Sequence, residues 1–180
     1  MSYNGIIDLY DNTNFNVAAG ASFDISGDII GDGLSVTKNG SGTLTLSGDT
    51  TYTGDTNVND GLLEITGSLA SNSFYNEGAI LFNTSTDHTI ASIEGSGTLE
   101  QAGSSILTSS NSNSFYSGDV TLTSGTLAVD ADDAFGSGTF YYDGGTLDIT
   151  SNVISLANNI ELGANLNVGS NNNDFTLAGD

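Results

Sequence analysis

The chain has 180 residues, of which 22 are acidic and only one is Lys or Arg, and its formal net charge is −21. Such a charge repels phosphate backbones and anionic membrane surfaces, which excludes nucleic-acid binding and direct membrane insertion of this segment. The sequence has no Cys and a single His, so a disulfide framework, a zinc cage and a thiol nucleophile are excluded as well.

Apolar residues alternate with polar ones in short runs, as they do in half-buried strands. In chain order, the clearest runs lie at 43–46, 57–59, 63–65 and 120–123. Each run has a turn signal close by, such as Asn39-Gly40 or Asp60-Gly61. Residues that favour helices are sparse, and one basic residue cannot build i,i+4 ion pairs. The pattern therefore predicts an all-β protein with very short strands.

A Gly-x-(Leu/Ile) element recurs along the chain and sets a period. Its apolar members are Leu44, Leu63, Ile80, Leu99, Leu127 and Leu147, and Leu166 continues the series. The differences between their successive sequence numbers are 19, 17, 19, 28, 20 and 19. The single long step predicts one insertion, and the Ser- and Asn-rich stretch 103–115 is the predicted loop-like insertion.

A period of about 20 residues favours a solenoid, in which each coil lays its strands against those of the coil before. Coils stacked about 4.8 Å apart would give a rod roughly 40 Å long for nine of them. A β-sandwich or a barrel is the alternative, although neither explains the repeated step. The sequence also repeats over a distance longer than this period. Residues 52–55 are similar in sequence to residues 116–119, and residues 61–63 are similar to residues 125–127.

The stretch from Lys38 to Gly48, followed by Tyr52-Thr53-Gly54 and by 58–63, resembles the autotransporter-associated β-strand repeat of bacterial type V secreted passengers. The stretch 116–149 is similar to a further passenger pattern. The resemblance implies a right-handed parallel β-helix with rungs of about 20 residues, displayed at the cell surface or secreted. We expect residues 1–180 to be a single solenoid segment of a longer passenger, whose outer-membrane barrel lies outside this chain.

Lys38 and His88 are candidate site residues because the chain has so few groups of their kind. Polysaccharide-cleaving β-helices use a Lys or Arg base, but Lys38 lies within the repeat motif and beside a turn, so we interpret it as structural. We interpret His88 as a solvated turn residue, because a single His without a nearby Cys or second His rarely holds a metal.

Asp130, Asp132 and Asp133 form the densest acidic group of the sequence. Paired carboxylates serve glycoside hydrolysis or bind calcium, but the spacing does not fit an EF-hand loop, and no aromatic subsites accompany the group. A solvated loop is the favoured interpretation, with weak calcium binding as the alternative. The sequence accordingly predicts no catalytic, cofactor or metal site.

Two further patterns recur. Phe-Tyr occurs three times, and strand periodicity predicts that one ring of each pair points inward and the other outward. Outward rings would either stack on sugars or form an aromatic ladder between adjacent rungs, and the ladder is favoured. The Thr-x-Thr pairs resemble those of ice-binding solenoids but are irregularly placed. The Phe-Tyr pairs are 74–75, 115–116 and 140–141, and the Thr pairs are 43/45, 51/53, 84/86 and 121/123.

These observations favour a non-enzymatic structural stalk of a surface-displayed or secreted passenger, which contributes to adhesion or self-association. The second hypothesis is a carbohydrate-binding adhesin surface that uses exposed Tyr, Asn and Asp. The third is a glycan hydrolase or lyase that uses pairs of Asp. Expected partners are a host-surface glycan or protein, or another copy of the chain, and no cofactor is expected.

Overall fold

Strands of consecutive coils pair in parallel, so that positions one repeat apart in the sequence lie side by side. In the computed structural model, Leu44 pairs with Leu63, Leu63 with Ile80, and Ile80 with Leu99. The structure describes residues 1–151, 154–170 and 175–177, and the end of the predicted segment at 180 lies outside them. None of these described residues forms a helix, so that part of the chain holds no candidate for a helical membrane span. The predicted all-β parallel solenoid with rungs of about 20 residues is confirmed.

The strands are two to four residues long. In chain order they are β1 (Ser2–Tyr3), β2 (Ile7–Asp8), β3 (Thr13–Asn16), β4 (Ser22–Ile25), β5 (Ile29–Ile30), β6 (Val36–Asn39), β7 (Thr43–Leu46), β8 (Asp49–Thr50), β9 (Thr56–Val58), β10 (Leu62–Ile65), β11 (Ser68–Leu69), β12 (Ser73–Asn76), β13 (Ala79–Phe82), β14 (His88–Ile90), β15 (Ser92–Glu94), β16 (Thr98–Gln101), β17 (Ile106–Ser109), β18 (Val120–Leu122), β19 (Thr126–Val129), β20 (Phe140–Tyr142), β21 (Thr146–Ile149), β22 (Ile154–Leu156), β23 (Ile160–Leu162), β24 (Val168–Ser170) and β25 (Phe175–Leu177).

Each coil, here called a rung, has up to three strands, which build three faces. Face 1 is one sheet with nine strands among the described residues, in the order β1-β4-β7-β10-β13-β16-β18-β20-β23. Face 2 consists of two sheets in succession, β2-β5-β8-β11 and then β14-β17-β19-β21-β24. Face 3 consists of the sheet β3-β6-β9-β12-β15 and the pair β22-β25. Face 1 thus continues where the other two faces are interrupted.

The core consists of columns of inward side chains that lie in register from rung to rung. Alternation along each strand sends every second residue inward, and the inward residues of face 1 are almost all aliphatic or aromatic. Burying each such side chain contributes roughly 1.5–3 kcal/mol, and no rung can bury its own apolar side without its neighbours. One column of face 1 is Phe23, Leu44, Leu63, Ile80, Leu99, Val120, Phe140 and Ile160.

The long step from Leu99 to Leu127 has a different cause from the predicted one. The partner of Leu99 on the next rung is Val120, at the ordinary spacing of one rung. Leu127 instead lies on face 2, in register with Leu107 and Leu147. The step therefore combines one ordinary rung with a move from face 1 to face 2, and it needs no insertion.

The predicted loop-like insertion at 103–115 is wrong where β17 lies. This strand pairs with β14 on one side and with β19 on the other. Leu107 is buried in the face 2 core, and Ser109 is buried beside it. The Ser-rich composition conceals the strand because β17 has Ser109 at an inward position, where other strands have Val or Ile.

Candidate functional site

Lys38 is fully buried, and its ammonium group lies inside the corner between face 3 and face 1. Its Nζ donates hydrogen bonds to the carbonyl oxygens of Asn39 (3.2 Å), Gly40 (2.5 Å) and Asp60 (3.0 Å). Burial lowers the pKa of Lys38, while the Asp60 carboxylate acts in the opposite direction. The side chain joins the corners of two successive rungs, which agrees with its structural interpretation.

Gly61 allows the corner around Lys38 to close. Its φ is +71°, and a Cβ there would lie 2.4 Å from the carbonyl oxygen of Gly42 and 2.9 Å from Lys38 Nζ. Only glycine tolerates both the backbone conformation and this close approach. The Asp60-Gly61 turn signal therefore marks the place where the backbone passes next to the buried ammonium group.

Buried amide side chains serve other corners in the same way. Asn76 Nδ2 donates to the Thr98 carbonyl (2.9 Å), Gln101 Nε2 donates to the Ser105 carbonyl (3.0 Å), and Asn158 Nδ2 donates to a carbonyl oxygen of the adjacent rung. All three amides are at most 2% exposed. Sequence reasoning missed them, although Asn76 and Gln101 share a usable signal, since each is the last residue of a strand and lies two positions before a Gly.

The prediction that His88 is a solvated turn residue is wrong. His88 begins β14, is only 8% exposed, and occupies the same core column as Leu107. Its Nε2 accepts the backbone N–H of Leu69 (3.0 Å), and its ring lies against Phe82 with the centroids 5.2 Å apart. Burial lowers its pKa, against the smaller opposing effects of the Thr86 backbone and Asp87. The imidazole is a core group and is not presented to solvent.

Asn113 has a corresponding role where face 3 is interrupted. Its Oδ1 accepts the N–H of Ile93 in β15 (3.0 Å), and its Nδ2 donates to the Ala134 carbonyl (2.7 Å). The side chain therefore supplies the acceptor that a further paired strand would have supplied. His88 thus accepts the N–H of Leu69 where face 2 is interrupted, and Asn113 accepts the N–H of Ile93 where face 3 is interrupted. Neither backbone N–H group is left without an acceptor.

The acidic group 130–133 lies in a turn, and its carboxylates have separate structural partners. Asp130 accepts hydrogen bonds from the hydroxyls of Ser151 and Thr150, and Asp132 accepts the N–H of Ser155 (2.8 Å). Asp133 has a φ of +51°, a conformation that residues other than Gly rarely adopt. Within the described ranges, no group of three or more His, Asp or Glu residues could hold a metal ion. Asp130 and Asp132 are exposed, in agreement with the solvated-loop interpretation.

Carboxylates elsewhere on the surface are paired with hydroxyl groups one rung away. Examples are Ser47 to Asp24 (2.5 Å), Ser68 to Asp49 (2.9 Å), Thr53 to Asp32 (2.8 Å) and Thr123 to Glu100 (2.8 Å). With a single Lys in the chain, hydroxyl donors take the place that basic side chains have in most surface ion pairs. Because these hydrogen bonds join adjacent rungs, the carboxylates that accept them help to stabilise the stacking of the rungs.

Two of the three Phe-Tyr pairs have one ring inside and one outside, as strand periodicity predicts, and in the third pair the outer ring, Tyr141, is half-buried. Phe74 and Tyr116 are buried, whereas Tyr75 is 43% and Phe115 is 80% exposed. In the third pair Phe140 is buried. The favoured aromatic ladder between adjacent rungs is not observed among the described residues: the ring contacts there are Phe74–Phe82, Phe82–His88 and Phe135–Phe140.

The outward ring of Tyr75 borders a shallow groove of about 170 Å³ on face 3. Tyr75 and Glu94 form one side, and the small side chains Ser73 and Ser92 form the floor. Asp55 and Asn57, on the preceding rung, complete the lining. This combination of an open ring, hydroxyls, carboxylates and an amide is able to bind a small polar ligand by stacking and hydrogen bonding.

The Thr-x-Thr pairs do not line a common flat surface. Thr45 lies in register between Asp24 and Glu64, so acidic residues interrupt its column. Thr84 is buried, and its hydroxyl donates to the Gly67 carbonyl (3.0 Å). This irregularity argues against ice binding.

Comparison with known proteins supports the resemblance found in the sequence. Residues 36–65 and 94–129 match the family described as Passenger-associated-transport-repeat. A stretch of 79 residues, 41% of this chain, is 40% identical to the adhesin BmaC autotransporter of Brucella suis biovar 1 (strain 1330) and covers 2% of that protein. A stretch of 52 residues, 28% of this chain, is 58% identical to an extracellular serine protease of Serratia marcescens and covers 5% of it. The chain thus spans a small part of the length of the curated relatives it matches. No solved structure matches it.

Proposed function

We propose, from the two passenger-associated transport repeats that this chain carries and from its parallel solenoid, that it is a non-enzymatic β-helical stalk of a bacterial autotransporter passenger. In this role it is displayed at the cell surface or secreted. It holds a functional tip away from the cell and contributes to adhesion or self-association.

The continuity of face 1 is the observation that carries the proposal. Its sheet runs from β1 to β23, and each inner strand is hydrogen-bonded to a strand on either side. At a spacing of about 4.8 Å, nine strands span roughly 40 Å along the axis. A rod of this kind keeps its length because shortening it would break a whole ladder of backbone hydrogen bonds.

An enzymatic role has less support from the chemistry of the described residues. Nε2 of His88, the single histidine of the chain, is occupied by the Leu69 N–H, and Lys38 Nζ is occupied by carbonyl oxygens. The match to the Serratia marcescens protease covers 5% of that protein, so it supports a shared repeat rather than a shared reaction. The match to the Brucella suis adhesin supports an adhesive passenger in the same limited way.

The proposal is tested by inserting the chain between an N-terminal epitope and the membrane-proximal part of a displayed autotransporter passenger. Cryo-electron tomography of labelled cells then measures the height of the epitope above the membrane. We expect the chain to raise the epitope by roughly 40 Å.

The matched control replaces Leu44 by Asp, because an unpaired carboxylate in the face 1 column prevents the rungs from stacking. This variant should not hold the epitope at a defined height. An epitope height that is the same with the native chain, with Leu44→Asp and with no insert contradicts a stalk function.

A further inference from the structure

The outer surface of face 3 has two exposed aromatic rings in one column. Parallel register places Asn57, Tyr75 and Glu94 side by side on successive rungs. The bridge between Gly95 and Tyr116 places Phe115 next in the same column. Tyr75 and Phe115 are therefore two rungs apart, at roughly 10 Å, and Glu94 lies between them.

The exposed Tyr75 ring lies next to a carboxylate that is fixed to the following rung. Glu77 interacts with the Tyr75 phenol and raises its pKa. The same carboxylate accepts the Ser96 hydroxyl (2.5 Å).

Polar groups that face the same column have unused hydrogen-bonding capacity. The carboxylates of Asp55 and Glu94 border the groove beside Tyr75, and neither has a hydrogen-bond partner among the residues that the structure describes. The amide of Asn57 makes one long hydrogen bond, to the Thr37 hydroxyl at 3.4 Å. These groups accept hydrogen bonds from ligand hydroxyls, and the hydroxyls of Ser73 and Ser92 donate or accept in the groove floor.

We propose that the column of Asn57, Tyr75, Glu94 and Phe115 binds an uncharged polysaccharide that lies along the axis of the solenoid. The two rings stack on the apolar faces of two sugar units, and the carboxylates and the amide between them accept the sugar hydroxyls. This goes beyond the stalk function and does not depend on it.

The charge of the molecule selects this ligand class. A net charge of −21 opposes acidic polysaccharides, nucleic acids and a second copy of the chain. A cationic peptide would bind wherever carboxylates are dense, without requiring the two rings, and its binding would weaken strongly with salt. An uncharged ligand with many hydroxyl groups uses both the rings and the acceptors at no electrostatic cost.

Native gel electrophoresis in gels that contain soluble uncharged polysaccharides tests the proposal. The probes are hydroxyethyl cellulose, a β-1,3-glucan, a galactomannan and soluble starch. We expect at least one of them to retard the protein, with equal strength at about 0.05 M and about 0.5 M salt. Tyr75→Ala and Phe115→Ala should each weaken the association about tenfold, because each removes one stacking ring.

Tyr10→Ala is the matched control, because Tyr10 is 90% exposed and lies outside the column. It should bind like the native chain, and circular dichroism should show the same melting curve for all three variants. The proposal is overturned if no probe retards the protein, if retardation disappears at high salt, or if Tyr10→Ala weakens binding as much as the column variants. None of these results alters the epitope height expected of a stalk.

Discussion

The backbone N–H of Leu69 donates a hydrogen bond to Nε2 of His88 (3.0 Å) at the point where face 2 passes from one sheet to the next. Leu69 ends the last strand of the first sheet, and His88 begins the first strand of the second. An imidazole nitrogen thus takes the place of the carbonyl oxygen that a paired strand would supply. The bond requires the neutral ring with its proton on Nδ1.

Protonation of His88 should destabilise the fold. Burial lowers its pKa below the ordinary value, so the unfolded chain takes up a proton at a pH where the folded chain does not. Stability is therefore complete above about pH 6.5 and falls as the pH decreases below it, by at most about 1.4 kcal/mol per pH unit. Urea unfolding at about pH 7.5 and about pH 5.5 measures the difference.

The control for this prediction is His88→Gln, because a Gln carbonyl accepts the Leu69 N–H but does not titrate in this range. The acidic residues contribute equally to both proteins, so their effect cancels in the comparison. We expect the native protein to lose more stability than His88→Gln between the two pH values. Identical losses would show that the imidazole does not control the junction.

Replacement of Lys38 by Met should lower the free energy of unfolding by about 1–3 kcal/mol. Met preserves much of the buried stem but leaves the carbonyl oxygens of Asn39, Gly40 and Asp60 without the ammonium donor. Thr37→Ala, at a neighbouring position that is not fully buried, should change stability by no more than about 0.5 kcal/mol. If the Met variant is as stable as the native chain, the free-energy cost of burying the ammonium group equals the stabilisation that its hydrogen bonds provide.

The sequence predicts the solenoid because its strongest constraints are local and repeated. An inward Leu or Ile at intervals of about 20 residues, with Gly at the corners, specifies strands that can stack only on the next rung. It does not specify the face on which a given motif lies. Leu63 and Leu127 occupy matching positions of the longer correspondence, yet Leu63 lies on face 1 and Leu127 on face 2.

The polar core was the least predictable part. A single His or Asn has no periodicity, so its sequence context does not distinguish a corner group from a solvated turn residue. His88 and Asn113 are buried because the two face interruptions need hydrogen-bond acceptors, and those interruptions arise only from the three-dimensional winding. By contrast, the direction of the Phe-Tyr rings follows from strand alternation alone and was predictable.

Asp133→Gly should stabilise the protein by about 0.5–1 kcal/mol, because Asp133 has a φ of +51° that glycine adopts without strain. Asp132→Gly should destabilise it by about 1 kcal/mol, because the Asp132 carboxylate accepts the N–H of Ser155. Both substitutions remove one negative charge, so the general charge effect is the same in each. Thermal unfolding of the two variants should show shifts of opposite sign, and shifts of the same sign would contradict this account of the turn.

Alkaline pH should unfold the protein through its buried tyrosines. Burial raises the pKa of Tyr52 and of Tyr116. Stability is therefore complete below the ordinary tyrosine pKa of about 10 and is lost as the pH rises above it, because only the unfolded chain ionises there. Tyrosinate absorbance should appear in two phases, and the second should coincide with the loss of the circular dichroism signal of the strands.

Tyr116→Phe provides the comparison for alkaline unfolding. Its ring still fills the core, but it cannot ionise, and it loses the hydrogen bond to the Gly97 carbonyl (2.6 Å). The variant should be less stable than the native chain near neutral pH and should lose less of its stability at high pH. A single absorbance phase that leaves the strand signal intact would mean that these phenols ionise within the folded protein.

Self-association of the solenoid should increase with ionic strength. Among the described residues, the strands β1, β2 and β3 each pair with a neighbour on one side only. Such an edge favours stacking of one copy of this chain on another, and the net charge of −21 opposes it. Raising the salt concentration from about 0.01 M to about 1 M shortens the screening length from about 30 Å to about 3 Å, so the repulsion between copies is lost while the edges are unchanged. Sedimentation velocity should therefore show monomers at low salt and larger species at high salt.

Replacing Asp28, Asp49 and Glu161, which are spread along the rod, by Asn and Gln should produce association at lower salt. Association that does not depend on ionic strength in either protein would show that charge is not what keeps the ends apart.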